Sequence, residues 1–115
     1  MVEVIHDDKL SAVLKATSDV TRRNILTQLV QQGPSRVTDL AAYYDMSLNA
    51  VSKHIKVLEK AGLVSRKNDG RIHWIEADLT PIKELENWFS QLKSIWELRL
   101  DKLEDILTKG DSSNE

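Results

Sequence analysis

Asn49, Lys53, Lys56 and Lys60 follow one another at steps of four, three and four, while Leu48, Val51, Ile55 and Leu58 recur at helical spacing on the opposite side. An amide and a row of ammonium groups contain no nucleophile paired with a base, so this stretch is not built for covalent chemistry. Such side chains do suit nucleic acid. An α-helix fits the major groove of B-DNA and presents its N-terminal half to base edges. That geometry selects Asn49, Ser52 and Lys53 as candidate readers of bases. Lys56 and Lys60, further along, are expected at phosphates, together with His54 where its ring points outward. Ser47 caps the helix and adds backbone N–H groups suited to a phosphate.

A helix reads DNA only if other elements hold it in place, and the flanking sequence supplies them. Upstream, Leu10, Val13 and Leu14 mark a first helix beginning near Asp7 or Asp8. Ser18 or Asp19 caps a second, with Val20, Ile25, Leu26 and Leu29 as its buried side and Gly33-Pro34 as its end. Arg22 and Arg23 fall in its first turn, against the helix dipole, and read as surface arginines. Thr38 heads a third helix of little more than two turns, with Leu40 and Ala41 inward; a small residue at Ala41 and an apolar one at Val51 suit a close crossing of the two helices. Asp45 occupies the turn, where glycine is often used.

Gly62 stops the reader helix. Beyond it, "LVSRK" and "RIHWIEA" read as strands joined at Asn68-Asp69-Gly70, a hairpin whose tip is flanked by Arg66, Lys67 and Arg71. These cations are expected at the DNA backbone or the adjoining minor groove. The arrangement is mainly α with a small β-hairpin, a winged helix-turn-helix.

From Thr80-Pro81, apolar residues Ile82, Leu85, Phe89, Leu92, Trp96, Leu100, Leu103 and Leu107 recur without an interrupting Gly or Pro. The implied helix is roughly 42 Å long, more than a small domain covers by itself, so the stripe is expected to meet its copy in a second chain. Leu10, Leu14, Leu85, Trp88, Phe89, Leu92, Trp96, Leu100 and Leu103 are the expected homodimer contacts. Trp88 and Trp96 are read as interface packing in preference to the lining of an effector pocket. The domain is expected to span residues 1–109, including dimerisation helices at about 7–16 and 80–109, with 110–115 a disordered tail.

Charge distribution supports the DNA reading despite a net charge of −2. Residues 47–75 hold six basic and two acidic side chains, whereas residues 76–115 hold five and ten. Local basic character is what phosphate binding requires. The chain contains no cysteine, which removes disulfides and thiolate metal sites. It has no apolar run approaching the roughly 18 residues of a membrane span, and its first residues do not resemble a secretory signal. The expectation is a cytoplasmic protein with no membrane partner.

"MSLNAVSKHIKVLEKAGLVSRKNDGRIHWIEAD", with "LKATSDVTRRNIL" upstream, resembles the ArsR/SmtB family of bacterial transcriptional repressors. Its recognition region commonly reads Ser-x-x-x-Val-Ser-x-His-Leu-x-x-Leu and then Ala-Gly-Leu-Val. The resemblance runs from about Leu14 to Leu107. It implies a homodimer joined through the first and last helices, repression at a two-fold-related operator, and a DNA surface that includes Ser52, Lys53 and His54. The ending, with Trp88, Trp96 and "ELRLDKLEDIL", is similar to a branch whose genes often neighbour START-like domain proteins.

Metal-sensing members carry Cys-Val-Cys-Asp-Leu where this chain has Arg36-Val37-Thr38-Asp39-Leu40, and arginine cannot ligate a metal. Others bind zinc through Asp and His pairs on the last helix, but no histidine follows His73. His6, His54 and His73 are not spaced as a ligand set. No catalytic set or phosphate loop is visible either. The expectation is a non-enzymatic DNA-binding regulator with double-stranded DNA and its own copy as partners, without metal or other cofactor. An unknown small-molecule or protein effector stays open. The alternatives are a metal-responsive repressor using unusual ligands, and a winged helix serving as a protein-interaction module.

Overall fold

Asp19 and Ser47 set where the two 13-residue helices of the N-terminal region begin, each accepting a hydrogen bond from the backbone N–H three residues on. The computed structural model describes residues 8–113, the side chains of 110–113 excepted. His6 and Asp7 therefore lie outside the described residues. Chain order is α1 (Asp8–Thr17), α2 (Val20–Gln32), α3 (Val37–Ala41), α4 (Leu48–Lys60), β1 (Val64–Asp69), β2 (Ile72–Ala77) and α5 (Ile82–Ser113). This is the mainly α winged helix-turn-helix with a small hairpin that the sequence predicts.

The chain divides into two units, residues 1–85 and 86–115. In the first, α1, α2 and α4 pack on one another, α3 packs on α4, and the hairpin closes the far side. Val51, Ile55 and Leu58 of α4 are fully buried against Ile25, Leu29 and Leu40. Burial of each such side chain is worth about 1.5–3 kcal/mol, which pins the rotation of α4 about its own axis. Tyr44, half-buried after α3, donates its hydroxyl to Gln28 Oε1 on α2 at 2.9 Å. Burial pushes its phenol above the usual value, so it stays the protonated donor.

Four details differ from the sequence reading. Val20 and Leu48 are 59% and 49% exposed, because each is the first residue of its helix, where the chain enters from solvent. The third helix has five residues and starts at Val37, one before Thr38. Its end is tightened by bonds from Tyr43 N to Leu40 O and from Tyr44 N to Ala41 O. The following turn needs no left-handed residue: among the described residues every positive φ belongs to a glycine, so Asp45 is unstrained. Finally, the hairpin turns one residue later than predicted. Asn68 and Asp69 are paired with His73 and Ile72, leaving Gly70-Arg71 as the two-residue loop. Gly70 has φ +63, the first-position glycine that a II′ turn requires, while Arg71 keeps negative φ.

A one-residue bridge joins Ser35 to Ile75 through two backbone hydrogen bonds of 2.9 and 2.8 Å. It fixes the segment before α3 against the hairpin. In the second unit, α5 continues through Gly110 to Ser113, past the expected boundary at residue 109; residues 114 and 115 lie outside the described residues. From Glu86 to Lys109 every side chain of this helix is exposed, and Trp88 and Phe89 lie with ring centroids 5.0 Å apart. No described helix is long and apolar enough to cross a membrane.

Candidate nucleic-acid interface

At about 100° per residue, Asn49, Lys53, Lys56 and Lys60 project within an arc of about 60° on α4, directly opposite the buried stripe. All four are exposed, and none of their side chains has a partner among the described residues. Ser52 sits at the edge of this face and is half-buried. Ser47 Oγ accepts from Ala50 N at 3.1 Å, so its hydroxyl is engaged as the cap. Lys60 lies about 16 Å along the helix axis from Asn49 and lines a hollow with Lys9 and Lys83.

His54 departs from the expectation. It is rotated well off the lysine face, and its Nδ1 faces Arg22 Nη1 at 3.3 Å and Asp19 Oδ2 at 3.9 Å. Its ring is half-buried between α2 and α4 and supports the helix from behind. Arg22 explains why. Its Nε donates to Ala16 O at 2.8 Å and its Nη2 to Lys15 O at 2.9 Å, while Arg23 Nη1 donates to Thr17 O at 2.7 Å. Both arginines, unfavourable at the start of α2 by its own dipole, donate to the carbonyls at the end of α1. They are connectors of α1, α2 and the reader helix, a role the sequence reading missed.

Asp19 completes this junction. The backbone N–H of Arg22 holds its carboxyl below the usual value near 3.8, against a desolvation that raises it, with the His54 and Arg22 charges assisting. A depressed folded-state value means that the unfolded chain takes up the proton first, so this contribution is present above about pH 4 and disappears below it. The Tm advantage of the wild type over Asp19→Asn should therefore shrink as pH falls from about 5 to about 3. An advantage that does not change with pH would contradict the assignment.

In the wing, Arg66 Nε donates to Glu59 Oε2 at 2.9 Å, linking β1 to α4. Lys67 Nζ pairs with Glu76 Oε2 at 2.6 Å, and that carboxylate raises the Lys67 ammonium above its ordinary value. Arg71, in the turn, has no side-chain partner among the described residues. Exposed pairs of this kind contribute little, so both carboxylates can yield their cations to phosphates. Arg36, which the sequence marks only as standing where a metal ligand would be, is a further candidate. Its guanidinium stacks over Trp74, 5.6 Å from the ring centroid. No group of three or more His, Cys, Asp or Glu among the described residues is placed to hold a metal ion.

Among the expected interface residues, Leu85 and Leu10 are half-buried and Leu14 is exposed in the N-terminal unit. Trp88, Phe89, Leu92, Trp96, Leu100 and Leu103 are all exposed on α5. Ile95, Leu98 and Ile106 are exposed there too and widen the apolar surface beyond the predicted stripe.

The family described as bacterial regulatory protein, arsR family, matches residues 19–66, from the cap of α2 to the first wing arginine. The chain is similar to the transcriptional repressor SdpR of Bacillus subtilis, 30% identical over 69% of this chain and 87% of that protein. It is similar also to the uncharacterized HTH-type transcriptional regulator YuzN of the same organism, 36% identical over 64% of this chain and 87% of that protein. A crystal structure of an ArsR family transcriptional regulator superposes with a TM-score of 0.74 at 30% identity, covering 83% of this chain and 97% of that one.

Proposed function

This chain belongs to the ArsR family of bacterial regulatory proteins, and is thus a transcription regulator with a DNA-binding winged helix-turn-helix; we propose that it acts as a homodimeric repressor at an inverted-repeat operator. Asn49, Ser52 and Lys53 read bases in the major groove, Lys56 and Lys60 approach phosphates, and Arg66, Lys67 and Arg71 contact the backbone beside the wing. Ser47 and His54 hold the helix in register, one from its end and the other from behind. Repression follows the role of the SdpR relative, a transcriptional repressor. Apolar side chains of α5 join two copies, and binding needs no metal, since Arg36 and Thr38 stand in place of thiolates.

The observation that carries this reading is the α4 face: one amide and three ammonium groups in line, exposed and without described partners, behind a fully buried stripe. Uncompensated charges so aligned fit a polyanion. Titration of the chain onto its own upstream DNA at several salt concentrations tests the proposal. Counterion release predicts a log–log slope of about −0.9 for each phosphate contacted, so a dimer making six or more contacts should lose about 1,000-fold in affinity between roughly 50 and 200 mM salt. Salt-independent binding, or none, would remove DNA as the partner.

A further inference from the structure

Beside the wing lies a second cationic surface, an open groove of about 320 Å³ between the start of α3 and the hairpin. Arg36, Thr38, Arg66, Arg71 and His73 line it with Val37 and Ile72, and no carboxylate does. Arg36 is held in place there. The Ser35–Ile75 bridge fixes the backbone immediately before it, and Trp74 supports its guanidinium face. Its N–H donors make no hydrogen bond with any described residue. His73 Nδ1 lies 2.6 Å from Asn68 Oδ1, which orients the ring and makes Nδ1 the donor. A stacked arginine retains its planar fork of donors at little entropic cost, which suits a phosphate.

We propose that this groove takes the sugar-phosphate backbone of the DNA, with Arg36 as its anchoring contact. The inference rests on the DNA-binding reading above and extends its footprint from the wing toward α3. Two features favour a DNA backbone over a free oxyanion. The groove is continuous with the wing cations, since Arg66 and Arg71 belong to both. Three arginines, Arg36, Arg66 and Arg71, line this one open channel, which fits a linear polyanion. Because phosphates are the same at every sequence, Arg36 should add affinity without adding specificity.

The test compares the full-length wild type with Arg36→Ala, Arg36→Lys and, as a control for bulk charge, Lys109→Ala. Binding to the operator and to a scrambled duplex is measured across a salt series, and thermal melts verify folding. Arg36→Ala should weaken both complexes about tenfold and reduce the slope by about two per dimer. Arg36→Lys should keep the slope, and Lys109→Ala should change neither quantity. An unaltered slope in Arg36→Ala, or a loss confined to the operator, overturns the proposal while leaving the DNA-binding reading intact. Release of DNA by millimolar inorganic phosphate at constant ionic strength, abolished by Arg36→Ala, would instead make the groove a free-oxyanion site. A wild type that binds neither duplex overturns both inferences.

Discussion

Replacing Asn49 and Lys53 together by alanine should reduce operator binding to the level of scrambled DNA while leaving the protein as stable as before. Both side chains are exposed on α4 and have no described partner, and such surface substitutions usually alter stability by less than about 0.5 kcal/mol. The effect on binding is much larger. A well-placed base contact is worth about 1–3 kcal/mol of discrimination. Two such contacts in each half-site approach the whole gap of about 4–10 kcal/mol between specific and non-specific binding. Lys56→Ala is the informative contrast, because loss of a phosphate contact should weaken both duplexes alike. Fluorescence anisotropy with the two duplexes separates these outcomes. Operator preference that survives the double substitution would move the reader away from this face, with the wing as the next place to look.

That expectation was legible in the sequence because the core side of α4 has a period. Val51, Ile55 and Leu58 fix which way the helix faces, and the lysines follow from rotation alone. Periodicity loses its force at helix ends. Val20 and Leu48 satisfy the pattern yet stand in solvent, because the core does not extend beneath the first residue of either helix. It is also silent about contacts between elements. Arg22 and Arg23 read as surface charge because their partners are backbone carbonyls of the preceding helix, and every sequence supplies carbonyls. The Arg22–His54 contact spans 32 positions, so no local pattern could take His54 off the DNA face. Arg36 over Trp74 was hidden for the same reason: the two meet where the Ser35–Ile75 bridge sets distant segments side by side. The hairpin was legible, but its turn was misplaced, since a three-residue Asn68-Asp69-Gly70 loop and a two-residue Gly70-Arg71 loop are both acceptable until the register is known.

The largest effect is expected from α5. Residues 86–109 form helix with no buried side chain, although Phe89, Leu92, Trp96, Leu100 and Leu103 share one face. Monomeric proteins seldom leave so continuous an apolar surface in water, and a second copy offers the matching stripe. Trp96→Glu combined with Leu103→Glu should therefore produce a monomer. Across a dimer it removes four buried side chains, and at about 1.5 kcal/mol each the lost burial reaches about 6 kcal/mol. That weakens self-association by more than about ten-thousandfold, before the cost of burying carboxylates is counted. Among the described residues all fully buried apolar side chains lie at or before Ile75, so the N-terminal unit should keep its cooperative melt. Sedimentation velocity at micromolar concentration reads the result, and a variant that still sediments as a dimer would place the interface elsewhere. DNA binding should fall with it although no DNA contact has changed. A dimer engages its second half-site at an effective concentration near the millimolar range, an advantage of about 100- to 10,000-fold that separate monomers lose. Affinity for a single half-site should be unaffected, so comparing one-site and two-site duplexes distinguishes a broken dimer from a damaged reader.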